Sequence, residues 1–341
     1  MHKLMAGMTI LEHELSDLRL LVERQTGILL DCPNSALVAH VAEYLESREM
    51  QSPTDLLNSL RACDQDPAVL PSFLDGVLNV NTGFFRHPGA MNTLANYVVP
   101  QLYARKSEDG PCTLRIWSAG CATGEEAYSI AMAMCDSLPN GAGNGPKEKT
   151  GTGRNAGGIQ DSPSPRDGQC TKDWSAHIVG TDLLPSAIEV AERGLYPQSA
   201  LAGLPPASIR ASFSKIASAN IQNGALEGVP GGPAAGASTG THLLVKPRLR
   251  SLVTFNTMNL TKPVYIGRFD CIFCMDVLPH LSRAQRTALV ERLHLYLEPG
   301  GYLFLSQTEK LCAPNLNFRP EVFDGYTVHR KPLAASAAYG R

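Results

Sequence analysis

Arg115-Ile116-Trp117-Ser118-Ala119-Gly120-Cys121-Ala122-Thr123-Gly124-Glu125-Glu126-Ala127-Tyr128-Ser129 runs from an apolar strand through two glycines into a helix that opens with paired carboxylates. Such a turn brings the main chain close to a ligand, because Gly120 and Gly124 present no Cβ and reach the φ values that a tight strand-to-helix turn demands. The acids then select the ligand. A pyrophosphate at this helix start would need bare amides and positive potential, whereas Glu125 and Glu126 suit hydroxyls, an ammonium group or a cationic sulfonium. The dinucleotide fingerprint fails, since residue 122 is Ala and no third glycine follows in register, and no Gly-Lys-Ser/Thr marks a phosphate loop. S-adenosylmethionine is the expected cofactor.

From Thr113 onward the pattern alternates: strand 113–118, helix 125–137, strand 175–181, helix 185–193, then a strand at Phe269-Asp270-Cys271-Ile272-Phe273-Cys274. That alternation predicts an α/β fold with a doubly wound parallel sheet. The next helix reads as capped by Ser282 with Gln285 three residues on, ending at Leu297-Glu298-Pro299-Gly300-Gly301 before strand Tyr302-Leu303-Phe304-Leu305. Ahead of all this, Leu11, Leu15, Leu18 and Val22 recur at helical spacing up to Gly27, and Leu37, Val38, Val41, Tyr44 and Leu45 repeat the signal after Pro33. An all-helical N-terminal domain over 1–88 and a second domain over 89–341 follow, with Met91, Leu94, Ala95, Val98 and Leu102 forming a linking helix. The stretches 139–172 and 218–241 are rich in Gly, Ala, Pro, Ser and Asn and read as flexible insertions.

The chain has 341 residues, 43% of them hydrophobic and 18% charged, with a net charge of −2, so it can bury a large core and has no general attraction for nucleic acid. Nine cysteines without a paired framework, and an N-terminus that turns acidic at Glu12 before any leader-length apolar run, lead us to expect a cytoplasmic protein that does not insert into membranes. Cys271 and Cys274 lie three apart in an apolar strand, where alternation sends them to opposite faces, so no metal is expected.

Asn79-Val80-Asn81-Thr82-Gly83-Phe84-Phe85-Arg86-His87-Pro88, followed by the glycine turn and the strand at 269–274, resembles in order and content the bacterial chemoreceptor protein-glutamate O-methyltransferases of CheR type. Leu-x-Pro-Gly-Gly before an apolar strand likewise looks like the penultimate-strand signature of class I methyltransferases. The resemblance spans nearly the whole chain. It implies a class I S-adenosylmethionine methyltransferase fold, Rossmann-like, closed by a reversed hairpin near Val322 and 326–330. A small β-subdomain would be inserted at about 196–252, around the stretch 218–241.

Asp182 ends the second strand, where an acid can accept both ribose hydroxyls; taken alone an Asp there is more often a cap for the following helix, and its place in the wider pattern favours the ribose. By resemblance, Glu126 holds the methionine part of the cofactor, Gly120 admits its backbone, Thr82 and Arg86 lie beside the methyl donor, and Asn259 and Leu260 form the adenine-side pair. Glu125 reads as a complement to the helix dipole, and Phe84 and Phe85 as core. Arg86, in a setting expected to restrict solvent, would grip the substrate carboxylate. That group is already ionised at neutral pH, so no general base is needed.

The family pattern Cys-Arg-Asn-Val is here Cys274-Met275-Asp276-Val277, which places Met275 and Asp276 against the cofactor. His280 stands where the family has its active-site Tyr, and is either that residue's replacement or a loop histidine. The helix over 36–46 lacks the arginines with which relatives meet acidic receptor helices, which weakens electrostatic steering. The expected activity is methyl transfer to a glutamate of a chemoreceptor or other coiled-coil signalling partner by a monomeric enzyme, leaving S-adenosylhomocysteine. A class I methyltransferase with another acceptor, or a non-catalytic binder of the cofactor, are the alternatives.

Overall fold

The computed structural model describes residues 10–62, 66, 68–78, 82–106, 112–137, 174–216, 241–264, 266–311, 313 and 315–333. The glycine-rich stretch 139–172, all of 218–241 except Thr241, and Asn79, Val80 and Asn81 lie outside the described residues.

Four helices, α1 (Glu12–Thr26), α2 (Asn34–Ser47), α3 (Pro53–Arg61) and α4 (Val69–Val77), form the helical unit. Each buries the stripe its periodicity marks. Leu15, Leu18 and Val22 of α1 meet Leu37, Val41 and Leu45 of α2 and Leu56, Leu57 and Leu60 of α3. Fully burying one such side chain stabilises by about 1.5–3 kcal/mol. This core is not sealed on itself: Leu184 and Ala187, from the start of a helix in the sheet region, complete it. Gly27 ends α1 at φ 76° and lies against Thr261, so that a Cβ there would come within 2.4 Å of the threonine methyl.

The linking segment is helical but not continuous. α5 (Pro88–Thr93) passes into a π turn at Leu94–Val98 and then into α6 (Val99–Lys106). Pro100 has no N–H to continue the ladder, and the widened turn absorbs the missing bond.

A seven-stranded sheet and its covering helices follow, beginning with β1 (Cys112–Ala119), α7 (Glu125–Ser137), β2 (Trp174–Asp182) and α8 (Pro185–Arg193). The chain then leaves the sheet for β3 (Leu195–Pro197), α9 (Pro206–Ser212), β4 (Phe213–Ile216) and β5 (His242–Val245), whose strands pair antiparallel in the order β3-β5-β4. It returns through α10 (Pro247–Arg250) to β6 (Val253–Thr257), β7 (Phe269–Phe273), α11 (Arg283–Tyr296), β8 (Leu297–Phe304), β9 (Arg319–Phe323) and β10 (Tyr326–Arg330). The sheet order is β6-β2-β1-β7-β8-β10-β9, parallel except for β10, which runs antiparallel to β8 and β9. This is the doubly wound sheet with a reversed terminal hairpin expected of a class I methyltransferase. Its winding reverses between β1 and β7, so a crevice opens at their carboxyl ends.

The two faces of the sheet bury separate cores. Cys271 belongs to one and Cys274 to the other, as strand alternation requires, and burial pushes both thiols well above their ordinary pKa. Ser282 does precede α11, but its side chain makes no capping hydrogen bond, and the box with Gln285 does not form. The guanidinium of Arg286 instead reaches back to the carbonyls of Leu281 and Pro279. Among the described residues no helix is long and apolar enough to cross a membrane, and no cluster of side chains could hold a metal ion.

Candidate active site

A cavity of about 610 Å³ opens at the carboxyl ends of β1, β2, β6 and β7, roofed by the segment between α1 and α2. Thr82, Arg86, Gly120, Glu126, Asp182, Asn259, Leu260, Met275, Asp276 and His280, singled out from sequence, all line it.

The glycine turn builds one wall. Gly120 has φ 86°, and a Cβ there would meet the Val277 side chain at 2.5 Å. The amides of Gly120 and Cys121 both donate to the Thr181 carbonyl, which ties the turn to the end of β2. Asp182 extends that tie. Its Oδ2 accepts from the Ala122 amide at 2.9 Å and its Oδ1 from the Leu184 amide at 3.0 Å. It is therefore not the N-cap of α8, a position held by Leu184. Each oxygen keeps a further lone pair for a hydroxyl from the cavity. Burial raises the Asp182 pKa, and the two backbone amides partly offset this.

Glu126, one turn into the crevice, accepts the Ser118 hydroxyl at 2.7 Å. Burial, reinforced by the charges of Asp276 and Glu309, pushes its pKa up to about 7 despite its place at the helix N-terminus. A buried carboxylate this reluctant to ionise is a site for a cation. Glu125 is a different case from the dipole complement expected of it. It is itself buried, and hydrogen bonds from Thr123 and Thr82 hold its side chain. Glu125 thus anchors the segment before α5 to α7, and the Phe85 amide adds a second tie through the Ser129 hydroxyl at 2.9 Å. Phe84 and Phe85 both pack against the core, Phe84 edge-on to Tyr196 and Phe213, and Phe85, at φ 51°, also lines the cavity.

Opposite lies a cluster that spacing alone did not reveal. Asp276, at φ 59°, places Oδ2 at 3.2 Å from Arg86 Nη2 and 2.9 Å from His87 Nε2. Its own amide, with those of Leu278 and Ser306, donates to the carboxylate of Glu309 at 3.0–3.1 Å for the first two and 2.9 Å for the third. Glu309 therefore fixes an unfavourable left-handed turn, which Asp tolerates better than most residues. Arg86 is less shielded than expected: its side chain is 38% exposed.

The roof is the other feature that sequence missed. The Leu29 amide donates to the His280 carbonyl at 2.8 Å, Ile28 bridges to Leu281, and the Asn259 amide group donates to the Gln25 carbonyl at 3.4 Å. Thr261 lies within 2.8 Å of both the Thr26 carbonyl and Asn259 Oδ1. The Asn259 side chain is thus committed to the roof, and His280 meets α1–α2 through its backbone.

Acids for a cation and for a diol, a glycine cradle and an enclosing roof fit an aminoacyl nucleoside with a sulfonium better than any phosphate-bridged group. A family model described as "CheR methyltransferase, SAM binding domain" matches residues 80–146 and 233–324. The chain belongs to the CheR methyltransferase family. Chemotaxis protein methyltransferase 1 of Pseudomonas aeruginosa is 28% identical over 315 residues, covering 88% of this chain and 95% of the relative. Chemotaxis protein methyltransferase Cher2 of Pseudomonas putida is 28% identical over 296 residues, covering 86% and 88%. Among solved structures, an N-methyltransferase from Bradyrhizobium japonicum in complex with S-adenosylhomocysteine aligns over 68% of this chain and 85% of its own. The two are 12% identical, with a TM-score of 0.31. The CheR match takes in the cavity residues of the glycine turn, α7 and the segments after β6 and β7, and leaves out Asp182 and the α1–α2 roof.

Proposed function

We propose that this CheR-family chain transfers the methyl group of S-adenosylmethionine to a glutamate side-chain carboxylate of a chemoreceptor. The observation that carries the reading is one cavity with carboxylates for a cation and a diol at one end and a cationic grip, Arg86 with His87, at the other. Bound there, the cofactor supplies a methyl group on positively charged sulfur. In this reading Asp182 holds the ribose hydroxyls, Glu126 the ammonium of the methionine part, and Gly120 lets that part lie against the main chain, while Thr82, Met275 and Leu260 complete the walls.

Arg86 turns the substrate carboxylate so that one oxygen faces the methyl carbon. The electron pair of the new C–O bond would come from that ionised oxygen and the pair of the broken S–CH3 bond would pass to the sulfur, leaving neutral S-adenosylhomocysteine, so no proton has to move, and the roof over 26–32 limits water. Placement accordingly provides most of the catalysis. The enzyme acts as a monomer on a helical, coiled-coil signalling partner, and with no arginine run on α2 it docks without strong steering by charge.

Incubation with labelled cofactor and receptor-bearing membranes should give base-labile methyl esters, reduced about a hundredfold or more in Arg86→Ala. Failure to label any receptor glutamate would reject this reading. Asp276 favours one second reading, a class I methyltransferase with a different acceptor, because an anion already occupies the carboxylate grip. Label recovered on an amine or hydroxyl instead of an ester would support it.

A further inference from the structure

The cationic grip already holds a carboxylate. Arg86 Nη2 and His87 Nε2 converge on the same oxygen of Asp276, at 3.2 and 2.9 Å, inside the cavity. Nothing in strand continuity demands this: β7 stops at Phe273, and Asp276 is turned back toward Arg86 by a left-handed backbone that Glu309 pins through the amides of residues 276 and 278. The side chain being presented has the same functional group as the proposed substrate.

We propose that Asp276 is a resident competitor for the substrate carboxylate, and that a glutamate is methylated only after displacing it from Arg86 and His87. The inference rests on the glutamate reading above. It makes Asp276 a specificity-determining residue. A free or weakly held carboxylate loses to an intramolecular one, whereas a glutamate delivered by a docked partner has an effective concentration high enough to win. The Arg86 and Asp276 side chains are 38% and 33% exposed, so the pair is held only moderately and can exchange. When Asp276 leaves, its charge turns toward solvent, and the incoming carboxylate restores the same ion pair at no net change in charge.

Asp276→Asn tests this, because Asn keeps the shape and tolerates the left-handed backbone but carries no charge. With the protein saturated by S-adenosylhomocysteine, the His87 ring resonances, present in every variant compared, are followed while N-acetylglutamate α-amide, whose single charge is the side-chain carboxylate, is titrated in. We expect Asp276→Asn to bind it about fivefold tighter than wild type, and Asp276→Asn with Arg86→Ala to lose that gain. With receptor as substrate, KM should fall by a similar factor while kcat changes less.

Equal or weaker probe binding by Asp276→Asn, with S-adenosylhomocysteine binding intact, overturns the proposal. A drop in cofactor affinity and kcat in that variant would instead assign Asp276 to the sulfonium, and also overturns it. The probe titration reads the grip whether or not any receptor is methylated, so failure of this inference and failure of the glutamate reading give different results.

Discussion

The two ends of the cavity are built on different terms. At the β1–β2 end, Asp182 closes β2, Glu126 opens α7 and the glycine turn joins β1 to α7; all are partly buried, Asp182 and the turn are tied by backbone amides whose geometry the sheet dictates, and the Ser118 hydroxyl holds Glu126. At the other end, Arg86, His87 and Asp276 sit on loops, Asp276 itself and Phe85 beside Arg86 have positive φ, and the central ion pair is about one-third exposed. A site that must hold one invariant ligand can be rigid and dry. A site that must admit, turn and release a protein side chain is built from pieces that exchange partners. On that contrast, damage at the first end should appear in cofactor affinity, and damage at the second mainly in transfer.

The largest effect is expected at Asp182. Asp182→Ala removes the acceptor for the ribose hydroxyls and leaves the Ala122 and Leu184 amides without partners, so S-adenosylhomocysteine affinity should fall about a hundredfold in calorimetry. A loss of less than about threefold would show that the rigid end does not grip the sugar.

Next is the pH dependence of cofactor binding. Burial raises the Glu126 pKa to about 7, and a cationic ligand needs this carboxylate ionised. Proton and cofactor therefore compete, and affinity should rise as pH rises through 7, by up to about eightfold between pH 6 and 7.5. An acid stabilised by a built-in cation would already be fully ionised at pH 6 and would give a flat profile over this range. In Glu126→Gln the profile should flatten and the affinity at pH 7.5 should fall. A wild-type profile that stays flat would remove Glu126 from the cation site.

The same contrast decides what sequence could reveal. β1, α7, β2 and α8 were legible nearly to their ends because strand alternation and helix periodicity are local, and Gly120 and Asp182 carry a strand-end signature. Arg86, Thr82, Met275 and Asp276 came into view only through resemblance, since nothing in their spacing marks them. That Asp276 pairs with Arg86 joins residues 190 apart through a left-handed turn, and no local pattern encodes it. Glu125 read as a dipole complement because a first-turn acid usually is one; its burial follows from Thr82 packing onto α7, a tertiary event. The roof over 26–32 gave no signal beyond Gly27, because the roof contributes main-chain groups, the Leu29 amide to the His280 carbonyl and the Thr26 carbonyl to the Thr261 hydroxyl, which almost any residue type supplies.

The smallest effect is expected where the two ends share that roof. Resemblance puts Asn259 beside the adenine, but its side chain accepts from the Thr261 amide at 2.9 Å and donates to the Gln25 carbonyl at the end of α1. If the side chain contacts the adenine, Asn259→Ala should weaken S-adenosylhomocysteine without changing the free protein. If it acts as a bracket, the free protein changes first. Thr261 loses its orienting partner, the helical unit loosens, and the Leu29 amide, which donates to His280 across the roof, exchanges faster with solvent. The long Asn259–Gln25 bond, at 3.4 Å, limits the cost to about 1 kcal/mol. Cofactor affinity should then fall only about threefold, as the fraction of closed roof falls. Hydrogen exchange at Leu29 in the cofactor-free protein separates the cases: unchanged protection together with weakened binding returns Asn259 to the adenine, and faster exchange makes the roof part of the cofactor site.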